Sequence, residues 1–473
     1  MPIGDTLGGF IRPGYNPLLV TDAPTIGTAS SNGDVGSDAI SIAFTAPSDV
    51  GGGAITSYTA TARDTVSTAT FAATGSSSPI VVTGLTTGQT YTVTVSATNL
   101  YGPSGMSAAS NSAEAKVFNG ELWTWGLGSN GQRAQGNTTT YSSPVQVGAL
   151  TDWKYTTQGS GYWIAIKTDG TLWAVGNGAG GRLGLSNTTS YSSPVQIGAL
   201  TDWLLVSSTY RSVAAIKTDG TLWAWGDGNY GVQGHGDTAD YSSPKQVGAL
   251  TTWSKISGGT RWNLAVKTDG TLWAWGFNNY GQLGQENTTS YSSPVQVGAL
   301  TDWSEVSVGT YTSYAIKTDG TLWSWGQGTE GGLGDGTAIS KSSPVQIGAL
   351  TTWLRSAGSY RSGRAIKTDG TLWVWGWNSS GQLGTGNVTT YSSPVQVGVL
   401  TTWQLVAATR YATMGLKTDG TLWTWGQGND GKLGHGNTSD AIAPTQVGAL
   451  TTWVGLNIGS EISSGFSAVK TPS

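Results

Sequence analysis

Residue types that build catalytic and metal sites are scarce in this 473-residue chain, which has no cysteine and only two histidines, His235 and His435. Without cysteine there is no disulfide framework, thiol nucleophile or thiolate metal site, and two histidines leave little material for a histidine-based metal site. Charged residues make up 11% of the chain, against about a quarter in an average soluble protein. The net charge of −4 does not favour nucleic acid as a partner. No apolar run approaches the roughly 20 residues of a membrane-spanning helix, so we expect no membrane insertion.

Tryptophan, by contrast, is abundant, and most of its 23 residues lie on a regular grid. Three series recur every 50 residues, with Val175 replacing one member of the third: Trp153 to Trp453, Trp123 to Trp423, and Trp125 to Trp425. Trp163, Trp262 and Trp377 lie outside the grid. A fixed period of this length predicts a solenoid or a propeller.

Each period contains the words KTDGTLW and SSPVQVGALT with small variations. The stretch AIKTDGTLWAWG predicts a hairpin, because Thr, Leu, Trp and Ile favour strands and Asp-Gly favours a tight turn. Two further strands are expected near W..VS.G and SPVQVG, and no helical periodicity is visible. Four-stranded units repeated around an axis are propeller blades, so we predict an all-β fold.

The two ends of the repeat region indicate a closed ring. Six full units cover residues 151–450, while residues 121–150 hold only the second half of a unit and residues 451–473 only the first half. In a ring these halves can pair as a seventh blade, which removes exposed strand edges. We therefore predict a closed seven-bladed β-propeller whose last blade is shared by N- and C-terminal halves.

The pattern AIKTDGTLWAWG.N..GQLG.G followed by SSPVQV resembles the regulator of chromosome condensation family of seven-bladed propellers, over about residues 120–473. The similarity is greater to bacterial and phage versions than to the chromatin-bound member. The family often has histidine in the turn before the second strand, but this chain has other residues there: Trp163, Val213, Asn263, Ser313, Gly363 and Thr413. The nucleotide-exchange activity of the chromatin-bound member is therefore not carried over.

Residues 23–116 contain alternating runs such as ITSYTATAR and TYTVTVSATN between Gly/Ser/Asp turns. Period-2 alternation at this spacing predicts a β-sandwich. The stretch GLTTGQTYTVTVSATNLYGPS resembles fibronectin type III domains, with Leu85 and Tyr91 matching their corner residues and Phe44 where many members have Trp. The resemblance implies a spacer.

Residues 1–22 belong to neither region and lack the basic and apolar segments of a secretory signal. Glycine, proline and asparagine disfavour a helix, so we expect an extended docking arm that contacts its partner through Phe10, Arg12 and Tyr15. The stretch resembles the N-termini of some marine phage structural proteins. The predicted organisation is an arm over 1–22, a fibronectin type III-like sandwich over 23–116 and a propeller over 117–473.

Comparison of the repeats with one another shows which connections vary. In an antiparallel meander the turn after the first strand and the loop after the third strand share one face. These segments vary and are rich in Tyr, Trp and Arg, which dominate binding hot spots, whereas KTDGT and QVGALT are nearly constant. Drift of loop sequences is the alternative, and it would enrich Ser, Gly, Asn and Asp instead. The predicted partner-binding residues are Tyr162, Trp163, Tyr210, Arg211, Tyr230, Arg261, Trp262, Phe277, Tyr280, Tyr311, Tyr314, Tyr360, Arg361, Arg364, Trp377, Arg410 and Tyr411.

No catalytic residue, cofactor or metal site is predicted. The recurring aspartate of KTDG, from Asp169 to Asp419, occupies a turn position that favours Asp or Asn for its backbone. Carboxylates on the variable face, such as Glu286 and Asp335, form no recognisable pair for acid–base chemistry. His235 and His435 lie in equivalent GHG loops and are expected to be solvated.

The Thr/Ser/Gly-rich, sparsely charged composition without an export signal fits a phage virion protein, which lysis releases. We therefore predict a non-enzymatic virion appendage (a tail fibre, spike or receptor-binding protein) anchored by its arm to a virion structural protein. The variable face would bind a host-surface glycan or protein, and several copies could assemble in the particle. The alternatives are a structural decoration or cementing protein of the virion, and a bacterial adhesin or inhibitor at the cell surface or outside the cell.

Overall fold

The computed structural model describes residues 20–31, 39–75, 78–86, 89–115, 120–456 and 465–472. Over these ranges the chain is almost entirely β-structure, and it divides into two compact units, residues 1–117 and 118–473. The predicted docking residues Phe10, Arg12 and Tyr15 lie outside the described residues. None of the helices within the described ranges is long and apolar enough to cross a membrane.

The first unit is a two-sheet β-sandwich. Its described strands are β1 (Thr25–Ser31), β2 (Ile40–Thr45), β3 (Ile55–Asp64), β4 (Thr70–Gly75), β5 (Ile80–Val82), β6 (Thr90–Asn99), β7 (Gly102–Pro103) and β8 (Ala113–Glu114). One sheet has the order β1-β2-β5 and the other β4-β3-β6-β7, with β8 also paired to β6. Alternate residues of β6 are buried between the sheets, as the period-2 pattern predicts.

The corner of the sandwich matches the expectation from the sequence. Leu85 and Tyr91 are buried, and the Tyr91 hydroxyl accepts a hydrogen bond from the backbone N–H of Thr86 at 2.9 Å. Phe44 packs against Tyr58 with 4.8 Å between the ring centroids. The fibronectin type III-like fold of this unit is therefore confirmed.

The second unit consists of four-stranded antiparallel sheets, here called blades. The N-terminal half of blade 7 is β9 (Glu121–Gly126) and β10 (Tyr141–Gln146). Blade 1 is β11 (Trp153–Gly159), β12 (Tyr162–Lys167), β13 (Leu172–Gly176) and β14 (Tyr191–Gln196). Blade 2 is β15 (Trp203–Ser208), β16 (Ser212–Lys217), β17 (Leu222–Gly226) and β18 (Tyr241–Gln246). Blade 3 is β19 (Trp253–Gly258), β20 (Trp262–Lys267), β21 (Leu272–Gly276) and β22 (Tyr291–Gln296).

The remaining blades repeat the same order. Blade 4 is β23 (Trp303–Val308), β24 (Thr312–Lys317), β25 (Leu322–Gly326) and β26 (Lys341–Gln346). Blade 5 is β27 (Trp353–Ser359), β28 (Ser362–Lys367), β29 (Leu372–Gly376) and β30 (Tyr391–Gln396). Blade 6 is β31 (Trp403–Ala408), β32 (Ala412–Lys417), β33 (Leu422–Gly426) and β34 (Ala441–Gln446), and blade 7 ends with β35 (Trp453–Leu456) and β36 (Gly465–Lys470). Short 3-10 helices follow the third strands of four blades: Ala179–Gly181, Asn229–Gly231, Thr329–Gly331 and Asn429–Gly431.

Blade 7 is built from both halves of the repeat, as predicted, with the strand order β10-β9-β36-β35. It is bonded to a neighbour on each side. Trp125 donates its indole N–H to the Lys432 carbonyl of blade 6 at 2.9 Å, and Gln158 of blade 1 donates to the Ser467 hydroxyl at 3.0 Å. The same indole-to-carbonyl bond links other successive blades, for example Trp275 to Val232 at 2.9 Å. The third-strand tryptophans of the grid are thus framework residues.

The constant KTDGT hairpin is held by a repeated set of side-chain contacts. In blade 1 the Lys167 ammonium lies over the rings of Trp153 and Trp173, at 5.0 and 4.4 Å from their centroids. The Thr171 hydroxyl donates to Asp169 at 2.7 Å and accepts from the Trp173 indole at 2.8 Å. The structural role predicted for this aspartate is therefore confirmed.

Candidate binding face

The two variable connections of each blade lie on the same face of the propeller. The backbone N–H of Phe277, which begins the loop after β21, donates to the carbonyl of Arg261 in the turn after β19 at 3.0 Å. Trp377 and Arg361 make the equivalent bond in blade 5 at 2.9 Å. We call this surface, formed by the first-to-second and third-to-fourth connections, the loop face. The opposite end, formed by the KTDGT hairpins and the fourth-to-first connections, is the turn face.

Five of the predicted partner-binding residues are not accessible on this face. They are buried in the second strands of their blades: Tyr162, Trp163, Trp262, Tyr314 and Arg364. The prediction that they contribute to a binding surface is wrong. Only two or three residues separate the first and second strands of blades 1 to 6, so these residues belong to the sheet and not to the turn. Neighbouring blades cover both faces of that strand, which buries consecutive residues.

The buried residues hold neighbouring blades together. Tyr162 donates its hydroxyl to the Ser212 carbonyl at 2.8 Å, and the Trp262 indole donates to the Thr310 carbonyl at 3.2 Å. Trp163 packs edge-to-face on Trp153, with 5.9 Å between centroids. Large aromatic rings fill the space that widens between blades.

Arg364 is a fully buried cation with neutral partners. Its guanidinium donates to the hydroxyls of Thr413, Ser359 and Ser362 and to the carbonyl of Gln382, at 2.7 to 3.1 Å. Burial lowers the pKa of Arg364 to about 10. Because its donors are occupied by acceptors within the protein, Arg364 is not available to a binding partner.

The other predicted residues are exposed or half-buried on the loop face, and most of them form two clusters that cross blade boundaries. We define the Phe277 cluster as Tyr230, Arg261, Phe277, Tyr280 and Tyr311. Its ring centroids lie 4.9 Å apart for Tyr230 and Phe277 and 4.7 Å apart for Tyr280 and Tyr311, and Arg261 lies 5.1 Å from the Tyr230 ring. The cluster draws residues from blades 2, 3 and 4.

The second cluster lies between blades 5 and 6. We define the Trp377 cluster as Tyr360, Arg361, Trp377, Arg410 and Tyr411. The Trp377 ring lies 5.4 Å from that of Tyr360 and 5.5 Å from that of Tyr411, at interplanar angles of 76° and 62°. The Arg410 guanidinium lies over both tyrosine rings, at 4.0 Å from Tyr360 and 5.1 Å from Tyr411. The result is a group of three aromatic rings with two cations on the loop face.

Tyr210 and Arg211 lie outside both clusters. The Arg211 guanidinium lies 4.9 Å from the Tyr210 ring and 3.9 Å from the Asp227 carboxylate. The charge of Arg211 is thus partly neutralised within the loop face.

Two buried cations lie beneath the loop face and were not identified from the sequence. Lys432 lies 5.8 Å from the Tyr411 ring and donates to the Gln427 side chain at 2.8 Å. Arg182 lies 5.8 Å from the Tyr162 ring and donates to the Ala179 carbonyl at 2.7 Å. Both residues occupy the same position of the 50-residue repeat. An alignment of the units with one another would have shown that this position varies.

The described ranges contain no group of three or more His, Cys, Asp or Glu side chains that could hold a metal ion. The two histidines, which the sequence favoured as solvated side chains over metal ligands, are half-buried. His435 shares a 2.9 Å hydrogen bond with the Thr424 hydroxyl, and burial lowers the pKa of both His235 and His435.

Comparison with known families identifies the propeller. The model of the regulator of chromosome condensation (RCC1) repeat matches residues 169–216, 219–266, 269–316, 319–360, 369–416 and 419–464. The chain belongs to the RCC1 repeat family. A second RCC1 repeat model matches residues 253–282 and 303–331, and a fibronectin type III model matches residues 22–112. No curated protein matches the chain.

Solved RCC1-like propellers share the fold at low sequence identity. Prp20p from Saccharomyces cerevisiae, described with its binding properties to Gsp1p and histones, has 18% identity and a TM-score of 0.66, covering 75% of this chain and 92% of that one. Yeast RCC1 (Prp20) bound to Kap60 has 18% identity and a TM-score of 0.66, covering 74% and 89%. Human WBSCR16 has 17% identity and a TM-score of 0.67, covering 75% and 99%. At these identities the likeness shows the fold alone.

Proposed function

We propose that this RCC1 propeller is a non-enzymatic binding module that recognises its partner with the loop face. The observation that carries the proposal is the pair of clusters, in which aromatic and arginine side chains from successive blades meet at an accessible surface. Aromatic residues and arginine supply large contact areas and directed polar contacts at low entropic cost. Binding to other proteins by the yeast relatives, to Gsp1p, histones and Kap60, is consistent with a binding role for this fold.

The contrast between the two faces supports the loop face over the turn face. On the turn face the cations repeat from blade to blade and are already engaged: Lys167 and Lys217 lie 3.4 and 3.3 Å from Asp152 and Asp202. On the loop face the residues differ between blades and carry aromatic rings that the sheets do not bury. Random drift of a loop would enrich small turn-forming residues, whereas these positions carry Tyr, Trp, Phe and Arg.

We further propose that the chain is a phage virion appendage, in which the arm of residues 1–22 docks on the particle and the loop face binds the host surface. The support is the low charge and the order of arm, sandwich and propeller in the sequence. A decoration or cementing protein of the virion is the second candidate, and it predicts that the loop face contacts another virion subunit.

The direct test is binding of the labelled full-length chain to a panel of bacterial cells, measured by flow cytometry. The loop-face variant carries Arg261→Ala, Tyr280→Ala, Trp377→Ala and Arg410→Ala. The matched control carries Leu250→Ser, Leu300→Ser, Leu350→Ser and Leu400→Ser, which alter leucines of the turn face that are 44–48% exposed. We expect the loop-face variant to lose binding and the control to keep it.

The reverse result would show that the turn face is the binding surface.

Virion attachment has its own test, because deletion of residues 1–22 should abolish incorporation into particles while the propeller still folds. Incorporation that survives the deletion would contradict the docking arm. Protection of Trp377 and Tyr280 from surface labelling in intact particles would favour the cementing role.

A further inference from the structure

Arg361 and Arg410 of the Trp377 cluster have unoccupied donor groups. Both lie over the Tyr360 ring, at 4.9 and 4.0 Å, and within the described part of the chain neither guanidinium makes a hydrogen bond or an ion pair. Their Nε atoms are buried without a hydrogen-bond partner among these residues. The terminal Nη atoms of both guanidinium groups also have no acceptor among the described residues, but they are not buried, so they are open to an external acceptor.

Three other arginines of the propeller are engaged by acceptors within the protein. Arg211 pairs with Asp227 at 3.9 Å, Arg182 donates to two backbone carbonyls, and Arg364 has four acceptors. Arg261 has only its contact with the Tyr230 ring, so the Trp377 cluster differs from the rest of the loop face in bringing together two guanidinium groups whose buried Nε atoms have no acceptor among the described residues.

The backbone of Arg361 supplies an independent observation. Arg361 has a φ of 51°, in the left-handed region that is unfavourable for residues other than glycine. Blade 1 has the same two-residue turn, and there the equivalent position is Gly161, with a φ of 73°. Since glycine serves this turn elsewhere in the same chain, the turn itself does not require arginine. Strained residues of this kind concentrate at functional sites.

The shape and charge of the cluster indicate one class of ligand. Two guanidinium groups match a carboxylate, which they can hold through paired charge-assisted hydrogen bonds. Three aromatic rings surround them, and the tyrosines stand at 76° and 62° to the Trp377 ring. A uronic acid combines a carboxylate and an apolar C–H face in one rigid ring, and the cluster offers guanidinium groups for the first and aromatic rings for the second. An acidic peptide carries its carboxylate on a flexible stem and does not need the aromatic walls.

We propose that the Trp377 cluster binds a carboxylate-bearing sugar of an acidic glycan, with Arg361 and Arg410 on the carboxylate and Trp377 against the face of the ring. This inference rests on the proposed function, because it names the partner of the same loop face. The buried Lys432 ammonium, 5.8 Å from the Tyr411 ring, adds positive charge beneath the cluster.

The test uses the full-length chain and three uronate polymers, polygalacturonate, alginate and hyaluronan, immobilised for biolayer interferometry. We expect at least one polymer to bind and its methyl ester, which keeps the sugar but removes the charge, to bind about ten-fold more weakly or not at all. Arg361→Gly and Arg410→Met should each weaken binding about ten-fold. The matched control is Arg211→Ala, which removes the same charge from the same face and should change affinity less than about two-fold.

Three results would overturn the inference: no binding to any of the polymers, an equal loss in the Arg211→Ala control, or poly-glutamate binding with the same dependence on Arg361 and Arg410. The last result would assign the cluster to an acidic protein segment. If cells bind through the loop face but uronate polymers do not compete, this inference fails and the proposed function stands. If the loop-face variant still binds cells, the proposed function fails whatever the polymers do.

Discussion

The ammonium of Lys470 lies 3.2 Å from the carboxylate of Glu121, and both side chains are more than nine-tenths buried. These residues face each other across β36 and β9, the two strands that join the halves of blade 7. In blade 1 the corresponding strands are connected covalently by the KTDGT turn, and Thr171 occupies the place of Glu121. Glu121 also accepts the indole N–H of Trp123 at 3.2 Å, as Thr171 does from Trp173. In blade 7 an ion pair thus links the two strands that the KTDGT turn connects in the other blades.

We expect Glu121→Gln to destabilise the propeller by about 3 kcal/mol, because it removes the carboxylate that faces the buried Lys470 charge. Urea unfolding measures the change. The control is Asp152→Asn, which breaks the pair with Lys167 at a carboxylate that is 41% exposed and should cost about 1 kcal/mol or less. Equal costs for the two variants would show that the shared blade does not depend on this pair.

Arg361→Gly should leave the free energy of unfolding unchanged or raise it by up to about 1 kcal/mol. Glycine relieves the left-handed strain at this position, and this gain offsets the lost stacking on Tyr360 and the entropy of glycine in the unfolded chain. Thermal unfolding checks the stability, and the same protein sample serves the glycan assay. A loss above about 1 kcal/mol would assign Arg361 a structural role instead.

Arg364→Met should be neutral or stabilising, although it removes four hydrogen bonds. Burial lowers the pKa of Arg364 to about 10, so the unfolded chain holds the proton more tightly and the buried charge costs stability at every pH below about 10. The acceptors can bond to one another: Ser359 lies 2.8 Å from Ser362, and Thr413 donates to the Gln382 carbonyl at 2.7 Å. Blade 6 has Met414 at the equivalent position. Chemical denaturation measures the change, and a loss of more than about 1 kcal/mol would contradict this expectation.

Alanine substitutions at Trp262 and Tyr280 should show that a buried framework ring contributes more to stability than a ring on the loop face. Trp262→Ala removes a fully buried ring and should cost about 3–5 kcal/mol. Replacement of Tyr280, which is 37% exposed, by alanine should lower the free energy of unfolding by about 1 kcal/mol or less. Differential scanning calorimetry of both variants provides the comparison, and similar costs would show that the Phe277 cluster is part of the core.

The KTDGT aspartates should make the propeller sensitive to acid. The hydroxyl hydrogen bonds from Thr221 and Thr271 hold the pKa values of Asp219 and Asp269 below their ordinary value of 3.8. As the pH falls, these carboxylates therefore take up protons in the unfolded chain at a higher pH than in the folded protein. The stability that the ionised aspartates contribute is present above pH 3.8 and is lost as the pH falls through their lower pKa values in the folded protein. A variant with Asp219→Asn and Asp269→Asn should be less stable than the parent at pH 7, and the difference should shrink at pH 3. Urea midpoints at the two pH values measure it, and a constant difference would exclude this contribution.

Much of the fold was predictable because its signals are local. Asp169 and Gly170 mark the hairpin, and the 50-residue recurrence of Trp153 marks the blade. The half-units before residue 151 and after residue 450 indicate the shared blade. Each of these features is a short pattern repeated along the chain, and the strand pairing follows from it.

The candidate site was only partly predictable. Tyr411 and Trp377 were recognised as variable and aromatic, and the structure places both at the surface. Trp262 and Arg364 have the same residue types, yet they are buried, because they lie in second strands that neighbouring blades cover on both sides. Lys432 was missed because its position in the 50-residue repeat was not compared between units.

The sequence by itself determined the repeat, the blade count, the sandwich that precedes the propeller and the division into constant and variable connections. Only the tertiary structure decided which variable residues are accessible and which meet, as Arg410 meets Tyr360 from the next blade. The physical reason is that the second strands are covered on both sides by neighbouring blades. A one-dimensional pattern cannot distinguish a residue in that strand from its neighbour in the turn, and the contacts that build the Trp377 cluster depend on how two blades pack together.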